Sequence, residues 1–182
     1  MLLNAGEYVK ISVEFEMLTS IGRNAVADIR FINPETLAKP PSYTHVVEVV
    51  GACRNVHISG QLGTDRDGNV VGDFRAQAVQ VFENLKAALA SVGATFADVV
   101  KLNSYLADIA DLPVLRDVRV RYLHAKALPA STTIAVSGFA RPGALLEIEA
   151  VAVLPLKPAR GKSARPKSSP AKKAAKRRRR RS

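Results

Sequence analysis

Two carboxylates, Glu147 and Glu149, alternate with Leu146 and Ile148 in a stretch whose pattern predicts a β-strand. Side chains two residues apart on a strand point to the same face, so both carboxylates lie on one surface of the predicted sheet. A carboxylate held beside a ligand can orient a water molecule for hydrolysis. The same alternation is typical of a plain solvent-exposed face, and these residues alone leave both interpretations open.

A second polar position, Ser59, precedes Gly60 in another predicted strand. Its hydroxyl can be a buried group that bonds to the backbone, or it can face a ligand. The local sequence does not distinguish a buried structural hydroxyl from one that faces a ligand.

Metal-ligating residues are few and scattered. The chain has one cysteine and three histidines, without a helical HxxxH pair or a Cys/His cluster. Asp65, Asp67 and Gly68 resemble part of a calcium loop, but the closing glutamate is missing and the Asp-Gly pair favours a hairpin turn. We therefore predict no metal site.

The charge of the chain is concentrated at one end. The formal net charge is +11, from 27 lysines and arginines against 16 acidic residues, yet 13 of the basic residues and no acidic ones lie in residues 157–182. This tail has almost no apolar side chains, so we predict it to be disordered. No apolar run approaches the roughly 20 residues of a membrane span, and no signal-peptide core is evident. We expect a cytoplasmic protein without a membrane partner.

Hydrophobic periodicity predicts an ordered series of elements. Apolar residues recur every three or four positions in one long segment that ends before a glycine, which predicts a helix, and shorter alternating runs predict strands. A second helix is predicted with Asp111 as its N-cap and Pro113 in its first turn. The predicted strands cover residues 46–50, 56–61, 98–106, 132–136 and 145–153, and the predicted helices cover 74–92 and about 112–123.

The order ββ(β)αβαββ predicts an α+β fold with two helices on one face of a mixed sheet. We expect the other face to carry many apolar side chains, with no helix left to cover it, and self-association would bury them. The predicted organisation is an N-terminal extension at 1–28, one domain at 29–156 and the polybasic tail at 157–182.

Several segments in order resemble one protein family. They are residues 58–61 (ISGQ), 77–87, 93–101, 129–136 (PASTTIAV) and 147–150 (EIEA). Together they are similar to the RidA/YjgF/UK114 family of reactive-intermediate deaminases, over about residues 29–156. The resemblance implies a chorismate-mutase-like fold and a homotrimer with three ligand clefts between subunits. It also implies hydrolysis of 2-imino acids, or their enamine tautomers, to 2-keto acids and ammonia without a metal or organic cofactor.

The resemblance carries ligand-binding roles onto particular residues. It places Tyr43 at the mouth of the cleft, Ser59 and Gly60 along the pocket, and Thr133 among the ligand-binding positions. It makes Glu147 the catalytic residue that orients water. The small-molecule ligand itself is not named by the sequence.

One position departs from the family pattern. The family's carboxylate-binding arginine falls on Ser131, whose hydroxyl provides one neutral hydrogen bond but neither a charge nor a fork of two donors. On that difference we expect a small carboxylate ligand to bind about tenfold to a hundredfold more weakly. Arg141, in the predicted loop between the last two strands, is not expected to compensate. We interpret Ser131 as the mark of a changed ligand and not of an inactive copy.

Two alternatives to an enzyme remain open. The same clefts can serve a non-catalytic small-molecule-binding module, or the tail can bind nucleic acid through phosphate contacts without reading bases. The tail can also be a solvated segment without a nucleic-acid partner, since no aromatic residue is interleaved to stack on bases. The tail residues assigned to nucleic acid are Lys172, Lys173, Lys176, Arg177, Arg178, Arg179, Arg180 and Arg181.

Overall fold

The computed structural model describes residues 27–156. The predictions for residues 1–26 and for the polybasic tail, including its eight assigned basic residues, lie outside the described residues. Within the described range the chain forms six strands and two α-helices. The strands are β1 (Asp28–Ile32), β2 (Val46–Val50), β3 (Cys53–Leu62), β4 (Val99–Leu106), β5 (Ala130–Ala135) and β6 (Leu146–Pro155), and the helices are α1 (Phe74–Ser91) and α2 (Leu112–Arg119).

The central layer is a four-stranded sheet in the order β3-β6-β4-β5. Strand β6 pairs antiparallel with β3 and β4, and β5 pairs parallel with β4, which makes the sheet mixed. Strands β1 and β2 form a separate antiparallel pair. The prediction of an α+β fold with a mixed sheet and two helices is confirmed.

Helix α1 packs its apolar face on this sheet. It begins where the Asp73 carboxylate accepts a hydrogen bond from the backbone N–H of Ala76, and Gly93 follows its end with a φ of 76°. The burial of a row of apolar side chains between α1 and the sheet is the main source of stability for this packing. The row, spaced at three and four residues as predicted, is Ala78, Val81, Phe82, Leu85 and Leu89.

Helix α2 is shorter than predicted and is not capped as predicted. Pro113 lies in its first turn, but the Asp111 side chain makes no capping hydrogen bond. Asp111 already belongs to a short 3₁₀ turn, Ile109–Asp111, whose first N–H groups are capped by Asp108. Beyond Arg119 the chain continues in tighter turns to Leu123.

The uncovered face of the sheet is more polar than we predicted. Core positions on β4 and β6 face the helices, and the alternate positions on the open face include the polar Lys101, Asn103, Tyr105, Glu147 and Glu149 and the apolar Val151. The expectation of a largely apolar open face is therefore wrong, because the apolar residues of these strands supply the core. Hydrophobic burial alone does not argue for self-association through this face.

Gln77 joins helix α1 to the loop before β6, and we expect its replacement to destabilise the fold. The side chain is 1% exposed; its Oε1 accepts from the Leu145 N–H at 2.8 Å and its Nε2 donates to the Gly143 carbonyl at 3.1 Å. Gln77→Leu removes both hydrogen bonds; the Leu145 N–H left without a partner costs about 1–3 kcal/mol, and the carbonyl of the exposed Gly143 costs less because water can reach it. Urea unfolding should show a loss of about 2–4 kcal/mol. The matched change Gln80→Leu should cost clearly less, and equal losses for the two variants would contradict this role.

Candidate functional site

Glu147 and Glu149 both lie half-buried on the open face of β6, but their surroundings differ. Glu149 Oε1 accepts hydrogen bonds from Asn103 Nδ2 at 2.7 Å and from the Tyr105 hydroxyl at 3.0 Å. The bond to Glu149 is the main reason that the pKa of Tyr105 is raised above its ordinary value. Within residues 27–156, the Glu147 carboxylate makes no hydrogen bond, so it is free to bind a water molecule or a ligand.

The Glu147 carboxylate lies directly against the backbone of Gly60. A Cβ added at Gly60 would overlap Glu147 Oε1, so only glycine leaves room for the carboxylate there. The register of β3 and β6 shifts between Ile58 and Gln61, which places this glycine in a β-bulge. The structure therefore brings together two predicted site residues, Gly60 and Glu147.

Ser59 is exposed and lies on the same open face. It lines a shallow depression together with His57, Asn103 and Glu149. The interpretation of Ser59 as a buried structural hydroxyl is therefore wrong.

Ser131 and Thr133 lie on the opposite face of the sheet. They pair in parallel register with Leu102 and Ser104, both of which are buried on the helix side. Ser131 also accepts a hydrogen bond from helix α2, which covers that side. Because β5 is an edge strand, the space between it and α2 opens to the outside.

Tyr43 lies near Ser131 because the segment just before β2 runs along the edge of β5. The Thr44 N–H donates to the Pro129 carbonyl at 3.2 Å, and Thr44 Oγ1 donates to the Leu128 carbonyl at 2.6 Å. These bonds hold residues 42–44 beside the start of β5. The result is a cavity of about 240 Å³, here called the edge pocket, lined by Ser42, Tyr43, Leu112, Leu115, Arg116, Arg119, Ser131 and Thr133.

Arg119 is a functional candidate that the sequence interpretation missed. It is 8% exposed, and its Nη1 donates to Ser131 Oγ at 3.2 Å. Its Nε and Nη2 atoms are buried without a hydrogen-bond partner among the described residues. Burial, and secondarily the charge of Arg116, lowers the pKa of Arg119 to about 10, so the guanidinium is still charged at neutral pH.

The sequence did contain a signal for Arg119. In helix α2 the buried positions Leu115 and Val118 are followed directly by Arg119 on the face that packs on the sheet. A charged residue within a helix's apolar stripe calls for a partner or a ligand. Arg141, in contrast, lies in the loop before β6 with its guanidinium against Gly68, 3.2 Å from where a Cβ would be, and does not line the edge pocket.

The predicted site residues thus form two groups on opposite faces of the sheet. Glu147, Gly60 and Ser59 lie on the open face, and Tyr43, Ser131 and Thr133 line the edge pocket. One copy of the chain does not bring the two groups into a single cavity.

The described residues contain no group of three or more His, Cys, Asp or Glu side chains that could hold a metal ion. In the same part of the chain, no helix has the length and apolar content needed to cross a membrane.

Comparison with known proteins identifies the family. Residues 36–154 match the family model described as Endoribonuclease L-PSP. The chain belongs to this family, also called RidA/YjgF/UK114.

Relatives within the family are identical to this chain at about a third of the aligned positions. A 2-iminobutanoate/2-iminopropanoate deaminase of Dermatophagoides farinae is 33% identical over 62% of this chain and 85% of its own length. A 3-aminoacrylate deaminase RutC of Acinetobacter baylyi is 35% identical over 62% of this chain and 90% of its own. A solved structure from Yersinia pestis, a Rid-family protein of unknown function, superposes with a TM-score of 0.63 at 39% identity, over 69% of this chain and 98% of its own.

Proposed function

We propose that this protein hydrolyses small imine or enamine compounds to keto compounds and ammonia, with Glu147 as the residue that activates water. The observation that carries this proposal is the free Glu147 carboxylate, which lies against the Gly60 bulge while its neighbour Glu149 is engaged by two donors. The D. farinae and A. baylyi relatives, both named as deaminases of this kind, support the substrate class.

The reaction requires few catalytic groups from the protein. Water adds to the carbon of the C=N group, and the Glu147 carboxylate accepts a proton from that water. Return of that proton to nitrogen gives a neutral carbinolamine. Transfer of the carbinolamine's hydroxyl proton to its amino nitrogen then lets the C–N bond break, which releases ammonia and leaves a C=O group. Imines hydrolyse unaided, so the protein accelerates the reaction by holding the substrate and the water in place.

The complete site is proposed to form between copies of the chain. Glu147 and the edge pocket lie on opposite faces of the sheet, so a neighbouring copy must contribute one of the two groups. A head-to-tail contact that closes on itself generates a ring with identical clefts, and the family resemblance implies a ring of three. Native mass spectrometry should therefore report three chains per particle.

Direct assay of the full chain tests the proposed activity. Ammonia release from 2-iminopropanoate and from 3-aminoacrylate should be faster with protein than in buffer at the same pH. Rates equal to buffer with both compounds, together with saturable binding of a small keto acid, would instead favour the non-catalytic binding module.

A second function, association with nucleic acid, is favoured by one observation. The tail at 157–182 carries 13 lysines and arginines and no acidic residue. If about eight to ten of these charges contact phosphates, the logarithm of the affinity should fall with the logarithm of salt concentration at a slope of about −7 to −9. Fluorescence anisotropy with duplex DNA and single-stranded RNA should show this slope for the full chain and not for a chain ending at Leu156. Equal binding by both would overturn the assignment.

A further inference from the structure

We propose that Arg119 of helix α2, together with Ser131, forms an anion-binding site that takes the carboxylate of a small organic ligand. The family pattern places the carboxylate-binding arginine on β5, at the position of Ser131. It does not predict this role for Arg119, because Arg119 lies on helix α2. The edge pocket of about 240 Å³, which Arg119 lines, has room for a small organic acid.

The geometry of the guanidinium supports a carboxylate as the ligand. Nη1 is engaged by Ser131 Oγ at 3.2 Å, which holds the group in place. The two atoms that lack a partner among the described residues are Nε and Nη2, which form one edge of the planar guanidinium. Both are fully covered in the ligand-free chain, so the guanidinium must turn toward the edge pocket when a carboxylate binds. Two parallel N–H donors on that edge match the two oxygens of a carboxylate.

The charge balance of the pocket also requires an anion. Arg119 is buried, and its only hydrogen-bond partner within residues 27–156 is the neutral Ser131 hydroxyl. The other charged group that lines the edge pocket is Arg116, which repels it. A buried charge without a counterion is costly, and a bound carboxylate would remove that cost.

Apolar and aromatic groups also line the edge pocket. Leu112 and Leu115 of α2 and the ring of Tyr43 provide walls that fit a short carbon chain. A ligand with one carboxylate and a small apolar body matches this lining better than a multiply charged anion does.

This inference rests on the proposed function only for the ligand's class, and it is tested by binding alone. Pyruvate is the probe, and its uncharged methyl ester is the matched control ligand. Isothermal titration of the full chain should show saturable binding of pyruvate and much weaker binding of the ester. Arg119→Gln should weaken pyruvate binding about 10- to 100-fold, because a neutral amide that still donates a hydrogen bond replaces a charged group with two donors. Arg121→Gln, an equal loss of charge at an exposed residue outside the edge pocket, should leave binding unchanged.

Thermal unfolding separates a ligand-binding role from a structural one. Removing an unpaired buried charge should leave the Tm of Arg119→Gln equal to or above that of the unaltered protein when no ligand is present. Pyruvate should raise the Tm of the unaltered protein and not that of the variant. A lower ligand-free Tm with unchanged pyruvate affinity would overturn the proposal.

Moving the guanidinium provides a rescue test. The double variant Ser131→Arg/Arg119→Ser places an arginine on β5 and frees the space that Arg119 occupies, so pyruvate affinity should recover to within about tenfold of the original. Ser131→Arg alone sets two guanidinium groups against each other and should not improve binding.

Failure of the unaltered protein to bind pyruvate, or tighter Arg119-dependent binding of inorganic phosphate than of pyruvate, would overturn the carboxylate assignment. Loss of imine hydrolysis with intact pyruvate binding would count against the proposed function alone.

Discussion

Glu147→Gln should lower kcat/KM for 2-iminopropanoate by about 10²- to 10⁴-fold, the range typical of losing a general base. The amide keeps the size and one acceptor oxygen of the carboxylate, but it cannot take a proton from water at neutral pH. Glu147 makes no hydrogen bond within the described residues, so the change should leave the Tm unaltered. Steady-state kinetics and thermal unfolding of the same preparation measure both effects.

Glu149→Gln is the matched control, since it lies two residues away on the same face of the same strand. Its oxygen can still accept the hydrogen bond of Asn103 or of Tyr105, so activity should fall by less than about tenfold. If Glu149→Gln abolished hydrolysis and Glu147→Gln did not, the catalytic roles of the two carboxylates would be reversed.

Gly63→Ala should destabilise the domain by about 3 kcal/mol, at the upper end of the cost of overpacking a core. A Cβ at this buried position would lie 2.5 Å from Gln77 Cβ and 2.7 Å from Gln77 Cα. Because the second of these atoms belongs to the backbone of α1, the helix itself must move away from β3. The Tm should fall by roughly 10 °C.

Gly138→Ala is the control for this prediction. No atom lies within 4 Å of a Cβ built at Gly138, and its φ is not positive, so the same substitution should change the Tm by little. A small Tm change for Gly63→Ala as well would show that β3 and α1 are less tightly packed than the structure describes.

The fold was predictable because its main signals are local. The apolar period of α1 and its glycine stop gave bounds within one residue of those observed, Phe74–Ser91. The alternation around Glu147 and Glu149 correctly put both carboxylates on one face. These patterns follow from the helix repeat of about 3.6 residues and the strand repeat of two, which can be counted in the sequence.

The composition of the site was less predictable because it depends on long-range pairing. Tyr43 reaches Ser131 only because Thr44 bonds to the residues that precede β5, a contact across more than 80 positions. Arg119 reaches Ser131 only because β5 is an edge strand beside α2. The spacing of residues can mark Arg119 as buried, but it identifies neither Ser131 as its partner nor the position of Tyr43.

The role of Ser131 changes accordingly. From the sequence, the missing arginine predicted a carboxylate affinity reduced about tenfold to a hundredfold. In the structure, the serine side chain leaves room for Arg119, which occupies the same neighbourhood from another element. Under the proposal above, the charge is relocated and the predicted loss of affinity is largely offset.

The central claim is that Glu147 of one copy and Arg119 of another act on the same ligand, and co-expression of two inactive variants tests it most directly. Particles that contain both Glu147→Gln and Arg119→Gln chains, isolated through different affinity tags, should recover imine hydrolysis. In a ring of three that contains both kinds of chain, one of the three clefts receives an intact residue from each neighbour. Activity near a third of the unaltered protein's is the predicted result. Mixed particles as inactive as either variant alone would contradict the claim.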